Sequence, residues 1–197
     1  MKARFPIAYW GSVSYYKALV SARNVVFEVE ETYRKQSCRN RCSILTASGV
    51  LDLSIPVIKP NGSKSLSKEV LISNDEDWRK THWRAIKSAY ASSPYFEHYA
   101  TEIYVLIYNE CDNLSDFVLA IHDQVSRWFE LPIATERSEE FALEYEHDFL
   151  TAFKRRSGEG SEFYQQVFTD KKTFEGDLSI LDAVLNLGPM ARELLVK

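Results

Sequence analysis

The chain has 197 residues, of which 45% are hydrophobic and 26% charged, and its formal charge is −4. This balance is typical of a packed globule, and we expect residues 1–197 to form a single domain. The net negative charge argues against nucleic acids or anionic membranes as partners, and no apolar run approaches the roughly 20 residues of a membrane span.

The first third of the sequence is typical of strands. The aromatic segment from Tyr15 to Ala22 predicts a short helix, so a strand–helix–strand start is expected. β-branched or alternating apolar residues predict three further strands, and the turn signal Ser48-Gly49 predicts that two of them form a hairpin. Their ranges are Asn24–Glu30, Arg41–Ala47 and Leu51–Val57. A shorter strand is predicted at Val70–Ile72.

From Ser73 onward the apolar residues follow a helical period. Ser73 and Glu76 resemble a capping box, and the helix after them has one face with Trp78, His82 and Ile86. Two further helices are predicted, from Phe96 to about Glu110 and from Asn113 to Pro132. The remaining predicted elements are a short strand at Pro132–Thr135, an acidic helix at Ser138–Arg155, a loop at Ser157–Ser161, a helix at Ser179–Leu187 and a terminal helix after Gly188-Pro189.

Strands early and helices late predict an α/β fold. Its N-terminal part is β-rich, with a βαβ start and a hairpin, and its C-terminal two-thirds are mainly helical. The cysteines Cys38, Cys42 and Cys111 are odd in number and too sparse for a disulfide scaffold, and no apolar run follows the N-terminal Met1–Arg4. We therefore expect reduced thiols in a soluble, cytoplasmic protein.

The segment from Tyr33 to Arg41 has the densest cluster of polar side chains. It contains four cations and no acid, between two predicted strands of an acidic chain. Arginine and lysine suit phosphate or carboxylate groups, so the segment predicts an anion site for a phosphorylated small molecule. The residues assigned to it are Tyr33, Lys35, Arg39, Asn40 and Arg41. The alternative is a solvated loop that balances Glu28, Glu30 and Glu31.

His82 and Tyr9 are the other functional candidates. His82 lies on the apolar face of its helix, where it serves either as a general base or as a core imidazole. Tyr9 belongs to an aromatic segment that suits stacking on a base or sugar ring. The alternative is that these aromatic residues pack in the hydrophobic core. No histidines have metal-ligand spacing, so no metal site is predicted, and no cofactor is assigned. Asp182 is interpreted as the third position of a capping box that begins at Ser179, and Asn186 as a cap at the helix end.

Several enzyme classes lack their motifs. The sequence contains no Walker A loop, no GxGxxG and no GxSxG. These absences argue against P-loop phosphotransfer, hydride transfer and serine hydrolysis.

A set of motifs in fixed order resembles the WbqC-like family over nearly the whole chain. The matching segments are Tyr33-x-Lys35-Gln36 with Asn40-Arg41-Cys42, Trp78 to Arg84, Pro94-Tyr95-Phe96, Tyr164-x-Gln166, and Leu178 to Pro189. Many family members begin with a His-Gln-Pro motif on the first strand. This chain has Phe5-Pro6-Ile7 there, and no histidine precedes His82.

The resemblance implies a role in assembling surface polysaccharides. On that basis we expect a transferase that modifies an activated, phosphate-bearing sugar by acyl or aminoacyl transfer, with His82 as base and the basic segment on the phosphates. Two alternatives stay open: a non-catalytic nucleotide- or anion-binding module, and an assembly protein that binds a partner through exposed aromatic residues. The oligomeric state is open as well.

Overall fold

The computed structural model describes residues 2–142, 144–153, 162–168 and 173–196. Eight strands lie in the described residues: β1 (Ala3–Pro6), β2 (Asn24–Glu28), β3 (Arg41–Thr46), β4 (Gly49–Ser54), β5 (Val57–Ile58), β6 (Leu71–Ile72), β7 (Ala134–Arg137) and β8 (His147–Asp148). The six α-helices of the same residues are α1 (Val13–Ala22), α2 (Trp78–Tyr90), α3 (Phe96–Ile107), α4 (Leu114–Phe129), α5 (Ile180–Leu187) and α6 (Ala191–Val196). The α/β class and the mainly helical C-terminal part are confirmed.

The predicted βαβ start is present. Strands β1 and β2 pair in parallel, with Ala3 opposite Val25 and Pro6 opposite Glu28, and α1 connects them. The hydroxyl of Ser12 caps α1 by accepting a hydrogen bond from the backbone N–H of Tyr15 at 3.3 Å. All four residues of β1 are buried, as expected for the inner strand of a parallel sheet.

The main sheet has four parallel strands in the order β7, β2, β1, β8. Its edge strand β8 lies where the sequence predicts an acidic helix from Ser138 to Arg155. That prediction is wrong for the residues described in this range, which form β8, turns and irregular segments. Contacts distant in sequence explain the difference, because Arg4 forms an ion pair with Asp148 at 2.6 Å and Phe149 stacks on Phe5 at 4.4 Å.

The predicted hairpin is also confirmed, as β3 and β4. They pair in antiparallel register, with Arg41 opposite Ser54 and Ser43 opposite Asp52. Side chains two apart on a strand point to the same face, so these four polar side chains share one face of the hairpin. That face is available to a ligand.

The helix starts and the last segment differ in detail from the sequence expectations. The cap of α2 is Asp77, whose carboxylate accepts from the Lys80 N–H at 3.3 Å, and not Ser73, whose hydroxyl donates to Asp75. Asn113 caps α4 as expected. The predicted loop at 157–161 lies outside the described residues.

Asp182 holds the C-terminal part together and does not cap a helix. Its buried carboxylate accepts from the hydroxyl groups of Tyr90 at 2.8 Å and Tyr164 at 2.7 Å, and from the Gln166 amide at 2.9 Å. Burial raises the pKa of Asp182, while these three hydrogen bonds act in the opposite direction. The capping interpretation is therefore wrong. Asn186 donates to the backbone carbonyl of Asp182 at 2.8 Å, one turn back in α5, and does not cap its end.

No helix in the described part of the chain is long and apolar enough to cross a membrane.

The Asp182 cluster generates a stability prediction. Tyr164→Phe removes one donor from a buried carboxylate, and we expect the free energy of unfolding to fall by about 1–3 kcal/mol. Tyr104→Phe is the matched control, because the Tyr104 side chain is exposed and a surface change of this kind costs within about 0.5 kcal/mol. Urea unfolding followed by circular dichroism measures both. Equal effects of the two substitutions would show that the cluster contributes no stability.

Candidate functional site

A cleft of about 520 Å³ opens at the carboxyl end of β1, where the chain turns toward α1. Parallel α/β sheets bind their ligands at this end of the strands, and the volume suits a small molecule. Four segments contribute its walls: the β1–α1 loop, the loop before β3, one face of the hairpin, and the start of α5. The lining residues are Tyr9, Trp10, Gly11, Ser12, Tyr15, Gln36, Ser37, Cys38, Arg41, Cys42, Ser43, Val50, Asp52, Phe153, Asp177 and Ser179.

The starts of α1 and α5 meet at this cleft. The N–H of Ile180 donates to the Gly11 carbonyl at 2.8 Å, and the N–H of Val13 donates to the Leu178 carbonyl at 3.1 Å. Ser12 and Ser179, the caps of the two helices, lie opposite each other in this short antiparallel bridge. A Cβ atom at Gly11 would approach the Tyr15 ring to 2.5 Å, so only glycine fits here without movement of that ring.

Three lining residues have a left-handed backbone that no helix end explains. Five non-glycine residues of the described chain have positive φ, and two of them, Arg23 and Glu130, are helix C-caps. The other three are Trp10 (43°), Gln36 (53°) and Asp177 (51°), and all three line the cleft. Such residues cost free energy and cluster at functional sites. Their convergence marks this cleft as the candidate functional site.

The charged groups of the cleft are Arg41, Asp52 and Asp177. Arg41 crosses the hairpin: its Nε donates to the Ser54 hydroxyl at 2.9 Å, and its guanidinium lies 3.9 Å from Asp52. Asp52 also accepts from the Ser43 hydroxyl at 2.6 Å. Asp177 accepts from the N–H of Ser14 in the first turn of α1 at 3.2 Å.

The structure separates the cations of the predicted anion site. Arg41 lines the cleft, while Lys35 and Arg39 do not. The Lys35 side chain is exposed and lies beside Lys59, and this contact lowers the pKa of Lys59. Arg39 is 1% exposed and donates from Nε to Glu31 at 2.7 Å, with a second bond from the same guanidinium.

The Arg39–Glu31 pair fixes the loop before β3. Burial raises the pKa of Glu31, and the charge of Arg39 opposes that shift. Removal of one partner would leave a buried charge, which is strongly destabilising. Arg39 therefore stabilises the loop that forms one wall of the cleft and does not contact a ligand in the cleft.

Asn40 and Tyr33 also belong to the framework of this loop. The Asn40 amide donates to the Ile55 carbonyl at 2.8 Å and thereby attaches the loop to the residue after β4. Burial raises the pKa of Tyr33 to about 12. Neither residue lines the cleft.

His82 reaches the cleft only through Tyr9. The Tyr9 hydroxyl lies 2.8 Å from Nδ1 of His82, and Tyr9 lines the cleft whereas His82 does not. Burial lowers the pKa of His82 to about 4, and a hydrogen bond with the Ser54 backbone acts in the opposite direction. The imidazole is uncharged at neutral pH, so its Nδ1 can accept a hydrogen bond from the Tyr9 hydroxyl.

The sequence patterns do not single out Asp52 and Asp177 as candidate functional residues. Asp52 lies within an alternating strand, where a polar residue signals only a solvated face. Asp177 follows Gly176, and this Gly-Asp step is a turn signal that sequence reasoning left unused. Neither signal reveals that the two carboxylates line one cleft.

A second cleft of about 550 Å³ lies between the start of α2 and the end of α3. Its lining includes the acidic residues Asp75, Glu76, Asp77, Glu110 and Asp112. The described residues contain no group of His, Cys, Asp and Glu side chains that would hold a metal ion.

The fold and the cleft together define an α/β protein with a polar cleft, the candidate functional site, at the end of its first strand. The model of the WbqC-like protein family matches residues 8–163, and the chain belongs to this family. The match includes the β1–α1 loop, the loop before β3 and the hairpin.

A protein of Mycobacterium tuberculosis with the name Uncharacterized protein Rv1507c is 34% identical over 68 residues. The aligned segment covers 34% of this chain and 29% of that relative's length. No solved structure matches the chain significantly.

The two buried histidines generate a pH prediction. Burial lowers the pKa of both His82 and His122 to about 4, below the value of about 6.5 in an unfolded chain. Between these values the unfolded state binds protons and the folded state does not, so stability is complete above pH 6.5 and falls as the pH drops. From pH 7.5 to 5.0 we expect each histidine to contribute a loss of about 2 kcal/mol.

The substitution His82→Asn isolates the contribution of His82. Asparagine retains an acceptor near the position of Nδ1 and does not titrate. Urea unfolding at pH 7.5 and 5.0 should show a loss about 2 kcal/mol smaller in the variant than in the unsubstituted protein. An identical pH dependence of the two proteins would contradict the buried, neutral His82.

Proposed function

We propose that this chain is a cytoplasmic transferase that modifies an activated, phosphate-bearing sugar in surface-polysaccharide biosynthesis. The observation that carries the proposal is the convergence of Trp10, Gln36 and Asp177, each with a left-handed backbone, on one polar cleft. Strain of this kind persists where the surrounding structure holds a site in a fixed geometry. The family resemblance supplies the sugar chemistry.

The lining suits a sugar better than a purely apolar ligand. Carboxylates, the Gln36 amide and serine hydroxyls offer hydrogen bonds to sugar hydroxyls, and the half-buried Phe153 ring offers an apolar face. Arg41 is the lining cation, and its planar guanidinium suits a phosphate. We assign Arg41 to the phosphate and the framework roles in the loop to Arg39, Asn40 and Tyr33, while the exposed Lys35 has neither role.

The transfer step that fits this site is acyl or aminoacyl transfer. The acceptor oxygen or nitrogen of the sugar attacks the carbonyl carbon of an acyl thioester or acyl phosphate. The bond from that carbon to the donor sulfur or oxygen breaks, and the proton that the acceptor loses passes to the departing thiolate or phosphate. Tyr9 is the cleft residue linked to His82, so we assign His82 a positioning role: it binds the Tyr9 hydroxyl and fixes the Tyr9 ring in the wall of the cleft.

A non-catalytic binding module is the second candidate. The thiols in the cleft favour it, because burial raises the pKa of Cys38 to about 11 and raises that of Cys42 as well. Thiols in this state are poor nucleophiles. Binding without turnover of any acyl donor would select this candidate over the transferase.

The test is a thermal-shift panel of nucleoside diphosphates, nucleotide-sugars and acyl-coenzyme A. A ligand at a hundredfold excess over its dissociation constant adds about 2.7 kcal/mol of stability. We expect a shift with a nucleotide-sugar, and Arg41→Ala should weaken its binding by tenfold or more, because a charge-assisted hydrogen bond is lost.

Lys35→Ala is the matched control for Arg41→Ala. Lys35 is a cation of the same loop but does not line the cleft, so its removal should change the affinity less than threefold. If Lys35→Ala weakens binding as much as Arg41→Ala, the anion site is the outer surface of the loop. A panel without any shift would contradict the proposed function.

A further inference from the structure

Asp177 is the carboxylate of the cleft whose charge is least compensated. The residue is only 8% exposed although it lines the cleft. One carboxylate oxygen accepts from the N–H of Ser14 at 3.2 Å, and the other has no hydrogen-bond partner among the described residues. That oxygen is not among the buried polar atoms without a partner, so a donor or a cation in the cleft can reach it.

Asp52, the other carboxylate, is in a different state. One of its oxygens accepts from the Ser43 hydroxyl at 2.6 Å, and the other lies 3.9 Å from the Arg41 guanidinium. Arg41 and Asp52 thus compensate each other across the hairpin. Among the described lining residues the charge that remains is that of Asp177, and no cation of the described chain forms an ion pair with it.

Asp177 also occupies the place where an anionic ligand would bind. The N-terminus of a helix attracts negative charge through its free N–H groups and its dipole. At α1 the N–H of Ser14 already donates to Asp177, and Ser12 caps the N–H of Tyr15. A phosphate at this end of the cleft would be repelled by the carboxylate, so the phosphate of a ligand belongs beside Arg41.

We propose that Asp177 binds a protonated amino group, and that the substrate of this site is an amino sugar with a free amine. The inference rests on the proposed function and names its substrate class. The ammonium group supplies the missing charge and donates to the free oxygen of Asp177. The hydroxyl groups of the sugar contact the serine and amide side chains nearby, and its phosphate contacts Arg41.

The test compares three ligands that differ at one position. They are a nucleoside diphosphate-hexosamine with a free amine, its N-acetylated form and the parent nucleoside diphosphate-hexose. The bare amino sugar, without the nucleotide, is titrated as a separate ligand. Isothermal titration calorimetry at pH 7 should show the free-amine form binding at least tenfold more tightly than the other two. Acetylation removes the charge and the parent sugar has a hydroxyl instead of the amine, so neither neutralises Asp177.

Asp177→Asn is the decisive variant. Asparagine tolerates a left-handed backbone and still accepts from Ser14, so the fold of the loop is retained while the charge is removed. We expect the preference for the free amine to drop to less than twofold, with the affinity for the parent sugar changed less than threefold. Asp75→Asn, in the second cleft, is the control and should leave the preference unchanged.

The outcomes separate this inference from the proposed function. Equal affinity for all three ligands, lost in Arg41→Ala, overturns the amine inference and leaves the sugar-nucleotide site in place. A preference for the free amine that survives Asp177→Asn overturns the role of Asp177. If no nucleotide-sugar binds but the bare amino sugar does so through Asp177, the inference holds and the activated-sugar function fails. No binding of any of these ligands overturns both.

Discussion

The bridge between the starts of α1 and α5 is the constraint on which the site depends. Two backbone hydrogen bonds join Gly11 to Ile180 and Val13 to Leu178, and so connect parts of the chain almost 170 residues apart in sequence. Trp10 directly precedes one side of the bridge and Asp177 directly precedes the other, and both have positive φ. The bridge therefore sets the two strained residues against the same cleft.

Contacts at the start of helix α5 and one turn later fix its position. At its start the bridge holds Ser179 beside Ser12, and one turn later the Asp182 carboxylate binds Tyr90 of α2 and Tyr164. Tyr90 in turn accepts from the N–H of Leu45 in β3, at 3.2 Å, so the hairpin is tied to the same cluster. Buried hydrogen bonds to a carboxylate are rigid, and they keep the hairpin face and Asp177 in a fixed relation.

Local patterns in the sequence predicted the βαβ start, the hairpin and most helices, because these elements follow from periodicity and turn residues. They failed where distant contacts decide. Strand β8 forms because Arg4 and Phe5 offer partners to Asp148 and Phe149. The buried pairing of Arg39 with Glu31, and the position of Asp177 in the cleft, also depend on tertiary contacts. The basic segment therefore predicted several ligand-binding cations, whereas Arg41 is the one cation of residues 33–41 that lines the cleft.

Amide chemical-shift mapping tests most directly the claim that this cleft is the functional site. A ¹⁵N-labelled protein is titrated with a nucleoside diphosphate-hexosamine, and the backbone amides are followed. The account predicts the largest shifts at residues 9–12, 36–43 and 177–179, with none at residues 74–79 and 108–112 around the second cleft. Shifts confined to the second cleft, or no shifts at all, would contradict it.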